Sequence, residues 1–564
     1  MATTSIITSK EGIIWRFVNP VSYGQYCTGD YWVQGPVLVS SISPSSTLRS
    51  DLTTKNGSML GSNLATGLQG LDSAVNFQYT YISSLNLGNY ISQSSPLALK
   101  PGDRLISVSS ADTLPAVRWA SILTCVSSNV IDVSSFRPGY TDSTVDYING
   151  YELSAYNSKL ANFDLTQILT KAEPTYAGLL SSVSSTWFDP FIGFNARFIR
   201  PTGAMPYDDS IIAAVISNVA LASNYYLTGS NKQELAKYLT QIGIDAYSDL
   251  INLNQKWATV GPQGSGKKFC ILFAGRMLDN QDYLNVGSDY TVSYGTQNVF
   301  PEDTQTFFVS SINGSINYGY GGYSSSDIGL PEWGIEHWNT ASLDTSSWVT
   351  SAYGSDLRRF FAMKNWVGYL FAAKIMGLQN YWNHDPLFYY FNRYFAKELE
   401  IVSQIGTGNI KEALAPSGME WQYDYVSGMN SYYFPSGSSS RINGVGFHGI
   451  STNTSSLLYV ESYVSALDYY VLKVLNPLNG SGIFLAGSST LPNVFNSNSN
   501  TSSIIYVTPS YTLAESVSVS ATNYMTYGAY IPFDDIYVQM VWRDSDNQNI
   551  RSTNAIRIRQ NINY

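Results

Sequence analysis

The chain has 564 residues, of which 44% are hydrophobic and 13% are charged, and its formal net charge at pH 7 is −10. The hydrophobic share is that of a folded protein, so disorder driven by charge is excluded, and the length favours about two to four domains over one core. Nucleic-acid binding rests mainly on phosphate neutralisation by a basic surface, so we expect no nucleic-acid partner for this acidic chain.

The rest of the surface is predicted to consist of hydroxyls, amides and tyrosines, which hydrogen-bond to sugars and stack on them without charge. This composition favours an extracellular or virion-surface location. No classical secretion signal is visible, and no run of about 18 apolar residues occurs, so we expect no membrane partner. The three cysteines, Cys27, Cys125 and Cys270, lack the spacing of a metal-ligand set, and we expect no metal and no cofactor.

Residues 1–145 have the β-branched and aromatic pattern of strands, and we predict an N-terminal β-sandwich there. The predicted strands, bounded by Gly, Pro and Ser clusters, are Ile13–Val18, Tyr31–Ile42, Arg104–Ser109 and Ala116–Ser127. The loops between them are too long for simple hairpins, so we expect them to carry contacts.

Residues 146–480 change to a period of about 3.6, which predicts a helical domain. Ile211–Leu221 is a predicted buried helix, and the capping-box pattern Ser230–Gln233 predicts the start of another. Further predicted helices are Lys268–Leu278, Asp356–Met376, Pro386–Ile405 and Ser456–Val474. Apolar helices joined by long loops favour an (α/α) toroid-like arrangement, and the longest loop, Asp282–Thr350, would form part of its rim.

Residues 481–564 return to alternation, and we predict a C-terminal β-sandwich there. The expected fold class is therefore multi-domain α+β, with a β-sandwich at each end and a toroid-like helical domain between them. No internal repeat with a fixed period is visible.

The segment Gly261–Lys268 nearly has the sequence of a phosphate-binding P-loop. That loop needs a strand before its glycines and a Ser or Thr hydroxyl after its lysine to hold magnesium. Here a predicted helix precedes the glycines, and Lys268 occupies the hydroxyl position. We therefore interpret the segment as a Gly-rich linker that opens a helix, with Lys267 either solvated or facing the rim.

One short run, Pro331–Trp338, contains two carboxylates, one of the three histidines and two indoles. Hydrolysis of a glycosidic bond needs two carboxylates across that bond. The candidates are Glu332 or Glu336 together with Asp208, which ends a loop immediately before a predicted helix. An Asp at that place is also typical of a helix N-cap, so a structural role for Asp208 stays open.

Elimination instead needs a base that removes the proton next to a uronate while cations neutralise its carboxylate. His337 or Tyr207 would be the base, and Arg137 and Arg200 would be the cations. Hydrolysis and elimination both stay open at this point. The catalytic candidates from both readings are His337, Glu332, Asp208 and Tyr207.

Further substrate-binding candidates are Trp333, Glu336 and Trp338 in the same run and His384 and Asp385 before a predicted helix. The indoles would stack on sugar faces, although tryptophans in a long loop also serve as anchors. His384 is equally interpreted as a structural partner of a helix cap. The three histidines are too scattered to predict a metal site.

Seven blocks, in one order over roughly residues 20–390, resemble a poorly characterised family of large secreted bacterial proteins from glycan-degrading marine and soil organisms. They are Tyr23–Val37, Ser135–Tyr140, Arg200–Asp208, Gln241–Tyr247, Gly264–Gly275, Pro331–His337 and Trp382–Asp385. The resemblance implies a β-domain plus helical-toroid body, with a link to polysaccharide lyases and toroid glycosidases. The family usually has His where this chain has Gln263 and Arg where it has Glu336. If those positions are catalytic in relatives, the resemblance implies a lost or changed activity here.

The sequence therefore predicts a glycan-active or glycan-binding protein that acts on an extracellular polysaccharide in a groove at the toroid rim. If it is an enzyme, we expect a polysaccharide lyase or a glycoside hydrolase. The alternative is a catalytically silent structural component of a virion, sheath or surface fibre that self-assembles, with a homo-oligomer as partner. The missing signal and the changed family positions favour assembly, whereas the retained titratable residues favour chemistry.

Overall fold

The computed structural model describes the fold in the ranges 2–65, 67–75, 79–127, 131–150, 159–160, 175–190, 198–203, 209–226, 230–257, 264–290, 299–308 and 363–391, together with strand backbones elsewhere in the chain. Two compact units are distinguished. The first comprises residues 1–324 and 331–424, and the second comprises residues 325–330 and 425–564. The three-domain division at residues 145 and 480 stays a prediction.

The first unit begins with a β-rich region whose strands lie between residues 3 and 126. They are β1 Thr3–Thr8, β2 Ile14–Gln25, β3 Tyr31–Gln34, β4 Val37–Ser43, β5 Thr47–Leu48, β6 Thr54–Lys55, β7 Ser58–Leu60, β8 Leu68–Gln69, β9 Thr80–Tyr81, β10 Leu97–Leu99, β11 Arg104–Ser110 and β12 Val117–Val126. Short 3₁₀ turns occupy Gly61–Asn63, Ser83–Leu85 and Leu87–Asn89. The four strand segments predicted here are confirmed, with Tyr31–Ile42 divided into β3 and β4.

Eight of these strands form one sheet with the order β10-β4-β2-β3-β12-β11-β7, and β1 pairs with β2. Neighbours are antiparallel except β3 and β12, which are parallel. Strand β2 joins the two halves, because Ile14–Phe17 pairs with β4 whereas Tyr23–Gln25 pairs with β3. The sheet therefore curls along β2.

Strands β11 and β12 are buried on both faces over most of their length, and the buried positions include polar residues such as Arg104, Ser107 and Ser121. Leu105 and Leu123 face a core enclosed by the curl, together with Trp15, whose indole Nε1 donates to Ser107 Oγ at 3.2 Å. The neighbouring residues Ile106 and Ile122 belong to a second core on the opposite face.

Helices follow the sheet in the first unit. They are α1 Tyr176–Val183, α2 Asp209–Leu221, α3 Ser230–Asn252, α4 Lys267–Leu278, α5 Gln281–Leu284, α6 Val286–Asp289, α7 Pro301–Gln305, α8 Lys364–Ile375 and α9 Gln379–Trp382. A π-helical turn, Ala222–Tyr226, follows α2, and residues 385–391 are helical. The predicted helices starting near residues 211, 230 and 268 are confirmed, and the described parts of 356–376 and 386–405 are helical.

The predicted loop Asp282–Thr350 contains short strands that the sequence analysis did not predict. They are β13 Thr306–Phe308, β14 Ser311–Ile312, β15 Ser315–Ile316 and β16 Pro331–Trp333. Strands β13 and β16 pair with each other, as do β14 and β15, and both pairs are antiparallel.

The second unit is described by its strand backbones. They are β17 Val445–Thr452, β18 Ser455–Ser462, β19 Tyr469–Leu475, β20 Gly482–Phe484, β21 Ser503–Ile505, β22 Val519–Ser520, β23 Tyr527–Gly528, β24 Asp535–Arg543, β25 Ile550–Ser552 and β26 Ile556–Arg559. They form a four-stranded sheet around β18 and a six-stranded sheet around β19 and β24. The predicted helix Ser456–Val474 is wrong, because β18 and β19 occupy it.

The chain is thus a mixed α+β protein with an N-terminal curled sheet and helices in its middle. None of the helices in the described ranges has the length and apolar character needed to cross a membrane.

A buried ion-pair network joins the sheet region to α3. The Arg137 guanidinium donates to both carboxylate oxygens of Asp245, at 2.8 and 2.7 Å, and to Asp30 Oδ2 at 3.2 Å. Burial opposes the charged guanidinium, but the two carboxylates outweigh it and raise the pKa of Arg137. Since Asp30 lies immediately before β3 and Asp245 lies on α3, this one side chain fixes the helix against the sheet.

We predict that Arg137→Met lowers the free energy of unfolding by about 3–5 kcal/mol, because Asp245 remains buried without its cation and Asp30 keeps only the more distant Lys10. The measurement is urea-induced unfolding followed by tryptophan fluorescence. Asp112→Asn is the matched control: it removes an ion pair with Lys55 at a side chain that is 76% exposed, where we expect a change below about 1 kcal/mol. Equal effects of the two substitutions would contradict the structural role of Arg137.

Helices α3 and α4 approach closely at Gly243. A Cβ added there would lie 2.0 Å from the Cys270 carbonyl oxygen and 2.7 Å from Ala274 Cβ. We therefore predict that Gly243→Ala destabilises the protein by about 1–3 kcal/mol, measured as a lower unfolding midpoint. Gly178→Ala, at an exposed helical glycine, should stabilise it by up to about 1 kcal/mol. If Gly243→Ala also stabilised the protein, the close helix contact would be refuted.

Candidate functional site

The Gly-rich segment before α4 forms a tight turn that ends in a buried helix N-terminus. Gly264 and Gly266 have φ values of +74° and +87°, a region that glycine adopts without strain. The Gly266 amide donates to Glu302 Oε1 at 2.7 Å. A carboxylate of the chain itself therefore occupies the place at the helix N-terminus where a P-loop would bind phosphate. The arrangement agrees with the interpretation that this segment is not a nucleotide site.

The first two residues of α4 are lysines whose side chains are enclosed by acidic partners. The Lys267 ammonium forms an ion pair with Asp189, which also pairs with Arg200. Lys267 is 3% exposed, so the prediction that it is solvated or faces a rim is wrong. Ion pairs as well as apolar packing thus hold α4 against its neighbours.

Lys268 pairs with Asp303 on α7, and Asp303 Oδ1 also accepts from Trp382 Nε1 at 2.7 Å. The Lys268 ammonium lies 5.4 Å from the ring centroids of both Phe300 and Trp382. Burial lowers the pKa of Lys268, and the carboxylate of Asp303 partly offsets that effect. This charged pair therefore anchors α4 to α7 and α9.

Glu302 is the most unusual carboxyl group of this cluster. It is fully buried, its Oε1 accepts from Gly266 N and from the Tyr369 hydroxyl at 2.9 Å, and its Oε2 has no hydrogen-bond partner among the described residues. Burial raises the pKa of Glu302 to about 7. The group can thus exchange a proton near neutral pH, although it is enclosed by protein.

His384 lies at the edge of this cluster and is half-buried. Its Nε2 lies 2.9 Å from the Thr306 carbonyl oxygen and 2.9 Å from Thr306 Oγ1. Burial lowers the pKa of His384, Asp303 opposes this, and Lys268 adds to it. The imidazole is therefore neutral at pH 7.

Thr306 also connects His384 to the run that the sequence analysis singled out. In the β13–β16 ladder, Thr306 pairs with Trp333, and Phe307 pairs with Glu332. Pro331–Trp333, the first three residues of the run, thus form the strand that pairs with β13, and β13 begins at Thr306, the hydrogen-bond partner of His384. Thr306 therefore links the strand Pro331–Trp333 to His384.

The other predicted site residues have different locations. Arg137 and Arg200 are buried against Asp245 and Asp189, so their predicted substrate contacts would require opening of the interior. Asp385 is exposed next to His384. The structure describes Glu332 and Trp333 by their backbone. The residues outside the described ranges are Tyr207, Asp208, Glu336, His337 and Trp338.

The sequence analysis missed Asp189, Glu302, Asp303, Thr306 and Tyr369. A signal existed for two of them, because consecutive acidic residues follow Pro301 in the first turn of α7. That pattern is typical of an ordinary helix start, so it did not indicate a buried cluster. Within the described residues, no group of three His, Cys, Asp or Glu side chains could hold a metal ion.

We predict that Glu302→Gln flattens the dependence of stability on pH. Because its folded-state pKa, about 7, lies above its ordinary value of 4.5, Glu302 contributes stability that is present below pH 4.5 and is lost as the pH rises through 7. The expected loss in the wild type is on the order of 3 kcal/mol relative to the glutamine variant.

Urea unfolding at several pH values between about 4.5 and 8 provides the measurement. Asp385→Asn, at an exposed carboxylate, should keep the wild-type slope. A Glu302→Gln profile parallel to that of the wild type would show that the carboxyl does not take up a proton on folding.

Three comparisons, with protein-family models, with curated proteins and with solved structures, find no match to this chain. The family resemblance of the seven sequence blocks therefore stays a prediction.

Proposed function

We propose that this protein binds an extracellular polysaccharide and acts on it in a groove that includes His384, Asp385 and the strand Pro331–Trp333. The observation that carries the proposal is the position of Thr306, which is hydrogen-bonded to His384 and whose backbone pairs with Trp333. Residues far apart in sequence thereby place an imidazole, a carboxylate and the backbone of the strand that carries Trp333 in one neighbourhood. Such a combination of a few polar groups with aromatic side chains is typical of sugar sites.

The chemistry of the proposed groove centres on a neutral imidazole next to an exposed carboxylate. A neutral histidine can accept a proton at physiological pH, as both hydrolysis and elimination require. Because Arg137 and Arg200 are enclosed by carboxylates, the proposal assigns them to the support of the fold. The toroid-like arrangement of the helices and the sandwich arrangement of the C-terminal sheets belong to the same proposal.

The alternative, a structural component of a virion, sheath or fibre, is favoured by a different observation. The ionisable cluster of α4 and α7 is wholly internal, with Glu302, Asp303 and Lys268 at most 1% exposed. Buried charges of this kind fix how helices assemble and do not contact a substrate. In this reading, the uncharged polar surface would mediate self-assembly.

The test is a screen of the purified protein against uronate-containing and neutral polysaccharides, with absorbance of unsaturated ends and reducing sugar read in parallel. We predict turnover on at least one polysaccharide, and a loss of about 100-fold or more in His384→Ala, the range expected for a lost general base or acid. Glu332→Gln tests the role of strand β16, and His337→Ala tests the remaining residues of the run Pro331–Trp338.

His448→Ala is the matched control, because this third histidine lies on β17 in the second unit and should leave turnover unchanged. Full activity of His384→Ala would remove His384 from the chemistry. Absence of binding and turnover on every polysaccharide, combined with ordered self-association in light scattering, would overturn the proposal in favour of the structural alternative.

A further inference from the structure

We infer that His384 is the proton acceptor of this groove and acts through Nδ1, while Thr306 is the positioning residue that fixes the tautomer of the ring. The identity of the donor, a sugar or a water molecule in the groove, rests on the proposed function. The tautomer itself is a property of the chain and is tested without a substrate.

The tautomer follows from what Thr306 offers to the ring. A carbonyl oxygen only accepts, so the 2.9 Å contact between His384 Nε2 and Thr306 O requires a proton on Nε2. The Thr306 hydroxyl leads to the same tautomer. Its one proton is donated to the Glu302 carbonyl oxygen at 2.8 Å, so the hydroxyl oxygen can only accept a hydrogen bond from Nε2 at 2.9 Å. In a neutral ring Nδ1 then carries the lone pair.

Thr306 is itself held in place from both sides. Its hydroxyl donates a hydrogen bond to the carbonyl oxygen of Glu302 on α7, and its backbone pairs with Trp333 in the β13–β16 ladder. The threonine is buried. The donor end of the ring is therefore directed at a fixed carbonyl, and Nδ1, which accepts no hydrogen bond from the described residues, is the end left for a ligand.

The charged groups around the ring determine its protonation state. Lys268 on α4 disfavours the imidazolium, whereas Asp303 on α7 and the adjacent Asp385 favour it. Desolvation lowers the pKa of His384 by more than any one of these charges changes it, and the ring is therefore neutral. When Nδ1 takes a proton, an N–H bond forms, the donor's bond to hydrogen breaks and its electron pair stays on the donor. The Thr306 carbonyl then stabilises the imidazolium through the Nε2 proton.

The experiment uses the full-length protein labelled with ¹⁵N-histidine, whose three rings are few enough to resolve. Long-range ¹H–¹⁵N correlation spectra distinguish a protonated ring nitrogen from one with a lone pair. We expect one histidine, absent from the spectrum of His384→Ala, with its proton on Nε2 and with a pKa below 6.5. A proton on Nδ1, or a pKa at or above 6.5, would overturn the inference.

Three substitutions separate positioning from catalysis. Thr306→Val removes one of the two acceptors of the Nε2 proton but keeps the carbonyl, so Nε2 should stay protonated with a smaller preference over Nδ1 than in the wild type. Thr304→Val, at an exposed threonine two residues earlier, should leave that preference unchanged. His384→Gln keeps an N–H donor near the position of Nε2 but cannot take up a proton. It should fold like the wild type and lose turnover about as completely as His384→Ala.

The outcomes for the inference and for the proposed function are distinguishable. The expected tautomer without turnover on any polysaccharide would leave the assignment of the ring intact and remove its sugar substrate. Turnover that survives in His384→Gln would show that Nδ1 accepts no proton in the reaction, whatever the tautomer.

Discussion

The rest of the structure depends on one constraint: a chain with few charges places many of them in its interior, where each must have a partner. Arg137 joins Asp30 to Asp245, Lys267 shares Asp189 with Arg200, and Lys268 meets Asp303. Apolar burial drives such a fold, but it is not directional. Buried ion pairs are directional, because removal of one partner leaves an uncompensated charge. They therefore determine which helix faces which part of the sheet region.

The solvent exposure of the polar groups around α4 increases from one side of the cluster to the other. Lys268 and Asp303 are enclosed, His384 is half-buried and Asp385 is exposed. An imidazole in this position feels the fixed charges of the interior and still has part of its surface open. Its protonation is then governed by the fold and less by the solvent, which is the usual requirement for an acid–base group.

Much of the local structure follows from the sequence. β-Branched and aromatic residues between Gly, Pro and Ser clusters predict the strands around Trp15 and Leu123, and the capping pattern predicts the helix start at Ser230. Both signals depend on neighbours within a few residues. The helix predicted for Ser456–Val474 is wrong because that prediction also used local residues alone. Its β-branched, Leu and Tyr residues suit a strand or a buried helix, and pairing with distant segments selects the strand.

His384 was a candidate in the sequence because histidine is scarce, but the residues that surround it were not predicted. Lys267 and Lys268 find their carboxylates 78 and 35 positions away in the chain. Strand β13 likewise pairs with β16 across more than twenty residues. No local pattern contains such distances, so the sequence predicted Lys267 to be solvated or to face the rim.

The carboxylate of Glu302 at the start of α4 has a consequence for how the protein meets its surroundings. Glu302 already accepts the hydrogen bond of the Gly266 amide, so the turn reaches its final conformation without recruiting an anion from the medium. Mobile salt ions weaken attractions between exposed charges but have little access to enclosed ones. The shape of this turn should therefore be the same in dilute buffer and in concentrated brine.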